Sequence, residues 1–124
     1  MSLPEVGYHK LIVYKKSKEL VIYLYKLTAK FPRDEQYVLL PQMRRAGISV
    51  LANIVEGYSK SSRKEFARFL DISIGSASEL EIFLDLSKDL GYMNKDNKIS
   101  ELLIEIKKML YSFRKSLKGG GNKR

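Results

Sequence analysis

Several residue types that build reactive or covalently stabilised sites are scarce in this chain. It has no cysteine, which excludes disulfides and thiolate metal sites and fits a reducing compartment. A single histidine forms no ligand cluster for a metal. No apolar run approaches the ~18 residues of a membrane-spanning helix, and the N-terminal stretch lacks the apolar core of a signal peptide. We expect a cytoplasmic protein with no membrane segment, no metal and no cofactor.

Positive charge is in excess. Lysine and arginine number 23 against 14 aspartate and glutamate, a formal net charge of +9. Such an excess favours binding to an acidic partner. The candidates are nucleic acid, an anionic membrane and an acidic protein. The alternative is that the charge only keeps the protein soluble. Hydrophobic residues make up 44% of the 124 residues, a composition and a length typical of one globular domain.

Apolar residues recur at spacings of three and four along most of the chain, which predicts helices and no strand. Four helices are predicted, over residues 11–31, 41–57 and 63–90, and from a cap at Asn94 or Asp96 to about Leu117. Short connections between them predict an all-α fold, an up-down-up-down four-helix bundle. We assign residues 1–118 to this single domain and residues 119–124 to a flexible basic tail.

Turn and cap residues mark the predicted helix ends. Pro32 is expected to stop the first helix, and Pro41 suits the first helical position of the second. Gly57 is predicted to end the second helix as a left-handed cap, and Gly91 to end the third. The serine and glutamate of the segment 62–65 match a capping box at the start of the third helix.

The second helix is apolar on two sides. Its stripes are Met43, Gly47, Val50, Ile54 and Tyr58 on one side and Ile48, Leu51 and Val55 on the other. A helix with two apolar sides is buried on both, and one four-helix unit of this length does not cover both. We therefore predict that the chain forms a homo-oligomer, with Val50 and Ile54 at structural or interface positions.

The predicted topology gathers positive charge at one end of the bundle, where the first and third helices begin and the second and fourth end. With the helices divided near their middles, thirteen basic and four acidic residues belong to this end. Cations at the start of the third helix oppose its dipole, and with the free N–H groups there they attract an anion. We predict that this basic pole binds the phosphates of nucleic acid, the alternative being a solvated end without a ligand. Its candidate residues are Lys60, Arg63, Lys64, Arg68, Arg114, Lys115 and Lys118.

Two arginines open the second helix, away from the basic pole. The planar guanidinium groups of Arg44 and Arg45 suit bidentate pairing with a carboxylate or a phosphate. We predict an ion pair between helices or between subunits, with Glu81 or Asp85 on the third helix as partner. Phosphate contact is the alternative.

Further polar and small residues interrupt the apolar helices. Asn53 and Glu56 are predicted to form a structural network or a polar pin that sets the register of an assembly. Catalysis by Glu56 requires a second acid, base or metal ligand, and the sequence offers no obvious one, so no catalytic residue is assigned. The small residues of segment 75–78 lie in mid-helix, where we expect close helix packing to compensate for the glycine.

The second and third helices also carry recognisable motifs. These are QMRRA at 42–46, NIVEG at 53–57 and SRKEFARFL at 62–70. They resemble the bacterial four-helix-bundle family named for proteins encoded in intervening sequences of 23S ribosomal RNA genes. More distantly, the chain is similar to the accessory variability determinant of diversity-generating retroelements.

The resemblance implies a ring-shaped homopentamer with no established catalytic activity. The retroelement relatives act with a reverse transcriptase and bind nucleic acid through basic surface. From residues and resemblance together, we expect a protein that is not an enzyme and binds RNA or DNA as an accessory to a nucleic-acid enzyme. The alternative is a protein–protein interaction scaffold with no nucleic-acid role.

Overall fold

The structure, a computed structural model, describes residues 7–93 and 97–119, and this part of the chain contains helices and no strand. The four long helices are α1 (Ile12–Thr28), α2 (Leu39–Tyr58), α3 (Arg63–Asp89) and α4 (Asn97–Lys118). Short 3-10 helices at Gly7–Lys10 and Arg33–Glu35 precede α1 and α2. Helix α2 packs between α1 and α3, and α4 packs on both α3 and α1, so the four helices close an up-down-up-down bundle.

Apolar residues of all four helices form the core of this single bundle. Side chains with 0% exposure come from every helix: Leu20, Leu24, Met43, Val50, Ile54, Phe66, Leu70, Leu80, Ile99, Ile106 and Leu110. Burying each such side chain contributes about 1.5–3 kcal/mol, so these residues dominate the stability of the fold. Val50 and Ile54 therefore belong to the subunit's own core, and an interface role for them is wrong.

Two helix boundaries differ from prediction. Helix α1 ends at Thr28, whose hydroxyl donates to the Leu24 carbonyl at 2.8 Å, and not at Pro32. Phe31 is buried beyond the helix, with its ring 5.6 Å from that of Tyr92. Helix α2 begins at Leu39, which places Pro41 within the first turn, where a missing N–H leaves no hydrogen bond unmade.

The cap predictions have mixed outcomes. The Ser62 hydroxyl accepts from the Glu65 N–H at 3.0 Å and caps α3. Gly91 has φ of 78°, and the N–H groups of Gly91 and Tyr92 donate to the carbonyls of Lys88 and Ser87 in a Schellman motif. Gly57 is not a left-handed cap, because it lies inside α2 and Gly91 alone among the described glycines has positive φ.

Hydrogen bonds as well as apolar contacts join α2 to α3. The buried Ser73 hydroxyl donates to the Val50 carbonyl at 2.7 Å, and the hydroxyls of Ser49 and Ser76 lie 2.7 Å apart. Gly75 is different, because it is exposed and a Cβ there would meet no atom within 4 Å. Close packing within the subunit therefore does not compensate for this glycine.

Apolar surface remains on the outside of the bundle. On α2 and α3 the exposed large side chains are Ile48, Ile72, Ile82 and Leu86, and Leu90 is exposed directly after α3. Leu51 and Val55 of the second α2 stripe are half-buried. The bundle thus leaves some apolar surface uncovered, as predicted for the second helix. That surface belongs to these residues and not to Val50 or Ile54.

Three predictions concern other parts of the chain. The caps Asn94 and Asp96 lie outside the described residues, as does the tail after Gly119. Among the described helices, none is both long enough and apolar enough to cross a membrane.

Candidate nucleic-acid interface

An aromatic cluster holds the helix ends of the basic pole together. The Phe66 ring of α3 lies 6.0 Å from Tyr58 of α2 and 5.0 Å from Phe113 of α4, between ring centroids. Tyr8, just before α1, contacts Tyr58 with ring centroids 6.4 Å apart. The ends of α2 and α4 and the start of α3 therefore meet, which brings the seven predicted cations to one end of the molecule.

Two of these cations flank one aromatic ring. The Lys60 ammonium lies 5.2 Å and the Arg68 guanidinium 4.8 Å from the centre of the Phe69 ring. Each cation is also paired with a nearby carboxylate. Lys60 lies 3.6 Å from Glu56, and Arg68 lies 3.7 Å from Glu65. All four charged side chains keep substantial exposure, so these pairs are weak, at about 0–1 kcal/mol each.

Three further cations hold α3 and α4 together. Arg63 donates from Nη2 to the Ser116 carbonyl at 3.0 Å, which satisfies an acceptor in the last turn of α4. Arg114 forms an ion pair with Asp71, and Lys118 lies 3.7 Å from the same carboxylate. Asp71 therefore belongs to the basic pole, although the predicted count of four acidic residues left it out. The positive surplus of the pole is smaller than predicted.

Lys64 and Lys115 differ from the other five cations. Both are exposed, and within the described residues neither forms an ion pair. They sit at the start of α3 and near the end of α4, two helix ends that the Arg63 to Ser116 bond joins. These two lysines are the cations of the pole most open to a ligand.

Arg44 has a different role from the one predicted. Its Nε donates to the Thr28 hydroxyl at 2.9 Å, and its Nη2 donates to the Tyr25 carbonyl at 3.2 Å. The guanidinium also stacks 4.2 Å from the centre of the Tyr25 ring. Arg44 thus binds the carboxyl end of α1, where a cation complements the helix dipole. The predicted partner Glu81 is instead bonded to Lys107 of α4 at 2.7 Å.

The other polar residues of α2 separate into two environments. Asn53 donates to the Ser49 carbonyl at 2.8 Å and lies 3.1 Å from the Ser49 hydroxyl, which extends the hydrogen bonding between α2 and α3. Glu56 and Arg45 are exposed. Glu56 is therefore not a buried polar pin within the subunit.

A second group of lysines lies along α1, and the sequence pattern did not single it out. Lys15, Lys18 and Lys26 of α1 and Lys98 of α4 line one cleft on the outer surface, with Tyr23 among them. Lys26, Lys30 and Tyr23 line the next cleft, near Tyr92. The recurrence of lysine at 15, 18, 26 and 30 is visible in the sequence. Lys15 and Lys18 were counted with the basic pole, however, and Lys26 and Lys30 with the opposite end, so the row was not recognised as one surface.

One titratable group at the opposite end is shifted. The Tyr92 hydroxyl donates to Glu35 Oε2 at 2.7 Å, and this hydrogen bond raises the pKa of Tyr92 above its usual 10.0. Burial and the negative charges of Glu35 and Asp34 act in the same direction. Across residues 7–93 and 97–119, no three or more histidine, cysteine, aspartate or glutamate side chains are grouped as a metal would require.

Comparisons with known proteins agree with this architecture. The family described as 23S rRNA-intervening sequence protein matches residues 9–112. A similar crystal structure is that of a protein of unknown function from the S23 ribosomal protein family of Bacteroides thetaiotaomicron. It is 30% identical, with a TM-score of 0.76, and the match covers 84% of this chain and 99% of that one. No curated protein matches the chain.

Proposed function

The chain belongs to the 23S rRNA-intervening sequence protein family, and from this premise we propose that it is a non-catalytic homopentameric bundle that binds RNA or DNA. The basic pole contacts the phosphate backbone, and the assembly acts as an accessory to a nucleic-acid enzyme. The observation that carries the proposal is that seven cations meet at one end of the bundle, where three carboxylates of the described residues, Glu56, Glu65 and Asp71, pair with them.

The ion pairs at the pole are compatible with this role. Exposed pairs contribute at most about 1 kcal/mol, so a phosphate can replace a carboxylate at little cost. Lys64 and Lys115 need no such exchange, because within the described residues they are exposed and form no ion pair. A polyanion that contacts both also reduces the repulsion between neighbouring cations.

Substitution of Lys64 and Lys115 tests the proposal. We expect the double variant Lys64→Glu/Lys115→Glu to bind labelled RNA and DNA oligonucleotides at least about tenfold more weakly than the wild type, equivalent to ~1.4 kcal/mol. Fluorescence anisotropy at low salt measures the change. The charge-matched control Arg33→Glu/Arg45→Glu, on exposed residues away from the pole, should reduce affinity less.

Salt dependence provides the decisive control. Neutralising phosphates releases counterions, so the affinity of the wild type must fall steeply between about 50 and 200 mM salt. Absence of binding at low salt, or binding that salt does not weaken, would show that the proposal is wrong. The positive charge would then serve solubility, as the scaffold alternative predicts.

A further inference from the structure

We infer that a single strand of nucleic acid runs along α1, through two adjoining clefts that are lined by lysines and Tyr23. This inference rests on the proposed function and extends it from the end of the bundle to its side. The surface concerned consists of Lys15, Lys18, Lys26, Lys30 and Lys98, with Tyr23 at its centre, and we call it the lysine tract.

The tract is continuous because its two clefts share residues. The first has a volume of about 350 Å³ and the second about 530 Å³, and both are lined by Tyr23 and Lys26. The Lys98 ammonium lies 4.6 Å from the centre of the Tyr23 ring, so α4 contributes a cation to the middle of the surface. A strand that lies in one cleft therefore passes directly into the other.

Charge distinguishes the lysine tract from the basic pole. Among the described residues that line the two clefts are five lysines and one carboxylate, that of Glu19. Within the described residues, Lys15, Lys18, Lys26 and Lys30 form no ion pair. At the pole, five of the seven cations are already bonded to carboxylates or a carbonyl of this chain. An external polyanion gains most electrostatic binding energy from cations that have no partner of opposite charge within the protein.

The spacing along α1 suits a strand that follows the helix. Lys15 and Lys26 are eleven residues apart, which is close to three helical turns and a distance of about 16 Å on nearly the same side of the helix. Both are exposed. A nucleic-acid strand carries a negative charge at every nucleotide and can contact both lysines at once. The two cations therefore track a backbone instead of enclosing one small anion.

An aromatic side chain among the lysines favours a single strand over a duplex. Tyr23 is half-buried where the two clefts join, and its ring packs partly against the core and contacts Lys98, so a base stacks there by displacing the Lys98 ammonium. Grooves that bind single strands combine cations that follow the backbone with aromatic rings on which bases stack. Bases within a duplex are already stacked on each other and present no free face to Tyr23.

The salt dependence of binding tests the lysine tract directly. For a single strand the slope of log K against log salt is about −0.7 per phosphate contact, so Lys15→Gln/Lys26→Gln should reduce its magnitude by about 1.4. The probe is a labelled single-stranded RNA oligonucleotide, measured by anisotropy over a series of salt concentrations. The control Arg33→Gln/Arg45→Gln removes the same charge from residues that line neither cleft and should leave the slope nearly unchanged.

The outcomes of this experiment separate the inference from the proposed function. If the wild type binds and the Lys15→Gln/Lys26→Gln slope equals that of the wild type, the lysine tract is not a binding surface and the pole proposal stands. Binding to duplex but not to single strands would likewise exclude the tract as a single-strand site. If the wild type binds no nucleic acid at all, the proposed function fails and this inference fails with it.

Discussion

Gly57 is a point of close approach between α2 and α3. A Cβ added there would lie 2.8 Å from both Phe66 Cδ1 and Phe69 Cβ. The Phe66 side chain is fully buried, and the Cβ of Phe69 is fixed to the backbone of α3. Neither of these two atoms can move away unless a helix shifts. A side chain larger than that of glycine therefore does not fit at position 57.

Two glycine-to-alanine substitutions should therefore have opposite effects. In Gly57→Ala the gain in helix propensity, at most about 1 kcal/mol, is outweighed by overpacking that costs ~1–3 kcal/mol. We expect a net loss of roughly 1–2 kcal/mol in the free energy of unfolding, measured by urea denaturation at fixed protein concentration. Gly75→Ala is the matched control. Its Cβ meets nothing within 4 Å, so it should be stabilising. Equal effects at the two positions would contradict this explanation.

Tyr92 should make stability depend on pH in the alkaline range. Its raised pKa means that the fold stabilises the protonated phenol, which donates to Glu35. That contribution is complete below the ordinary tyrosine pKa of about 10 and is lost as pH rises through the raised value. The stability advantage of the wild type over Tyr92→Phe should therefore be smaller at about pH 11 than at about pH 8. Urea denaturation at both pH values measures it, with Tyr37→Phe, on an exposed tyrosine, as the control. An advantage that is the same at both values would show that the Tyr92 to Glu35 bond contributes nothing.

Individual roles were the hardest part to predict from sequence. A glycine near a helix end suits a left-handed cap and a close helix contact equally, and only the position of Phe66 distinguishes them for Gly57. Arg44 has a similar ambiguity, because an arginine satisfies carbonyls as well as carboxylates. Its partners at Tyr25 and Thr28 belong to the preceding helix, and their position depends on where α1 ends.

At the scale of elements, periodicity predicted much more. All four helices, the burial of their main stripes and the cap at Gly91 are confirmed, because these depend on local spacing and on the hydrophobic effect. The boundary of α1 was missed because its last residue, Thr28, bonds back to the Leu24 carbonyl and Phe31 is buried from the following turn. Tertiary burial, which local sequence does not encode, decided that boundary.

The candidate site was also predicted only in part, because tertiary contacts determine which of its charges are paired. Topology alone brought the seven pole residues to one end, and the contacts of Phe66 with Tyr58 and Phe113 agree with it. Topology did not reveal which cations are bonded within the chain. Asp71 was left out of the acidic residues counted at the pole, yet it pairs with Arg114 and Lys118. Net charge summed over a segment therefore overestimates the charge open to a ligand.

At the scale of the whole molecule, the outer faces of the bundle have contrasting character. The lysine tract runs along α1, with Lys98 of α4 beside it, and α3 exposes Ile72, Ile82 and Leu86. Exposed apolar side chains grouped on one element are typical of an interaction surface. If copies of the chain associate through α3 and leave α1 uncovered, the lysine tracts repeat once per subunit. A strand of nucleic acid could then contact several subunits, which multiplies weak individual contacts.

Self-association through α3 is the last prediction. Ile72 and Leu86 are 42% and 44% exposed. They lie nearly four turns apart on a similar side of α3, so a neighbouring subunit that covers one would approach the other.

Burying an unpaired carboxylate is far more costly than exposing one, so Ile72→Glu/Leu86→Glu should dissociate the assembly and leave the subunit folded. Sedimentation velocity should show five-subunit particles for the wild type and single subunits for the variant, with circular dichroism confirming retained helix. The control Ile12→Glu/Ile22→Glu places the same charge on two exposed isoleucines of α1 and should leave the assembly intact. A wild type that sediments as one subunit at about 100 μM would refute self-association, since an assembly that weak has an association free energy of only about −5 kcal/mol.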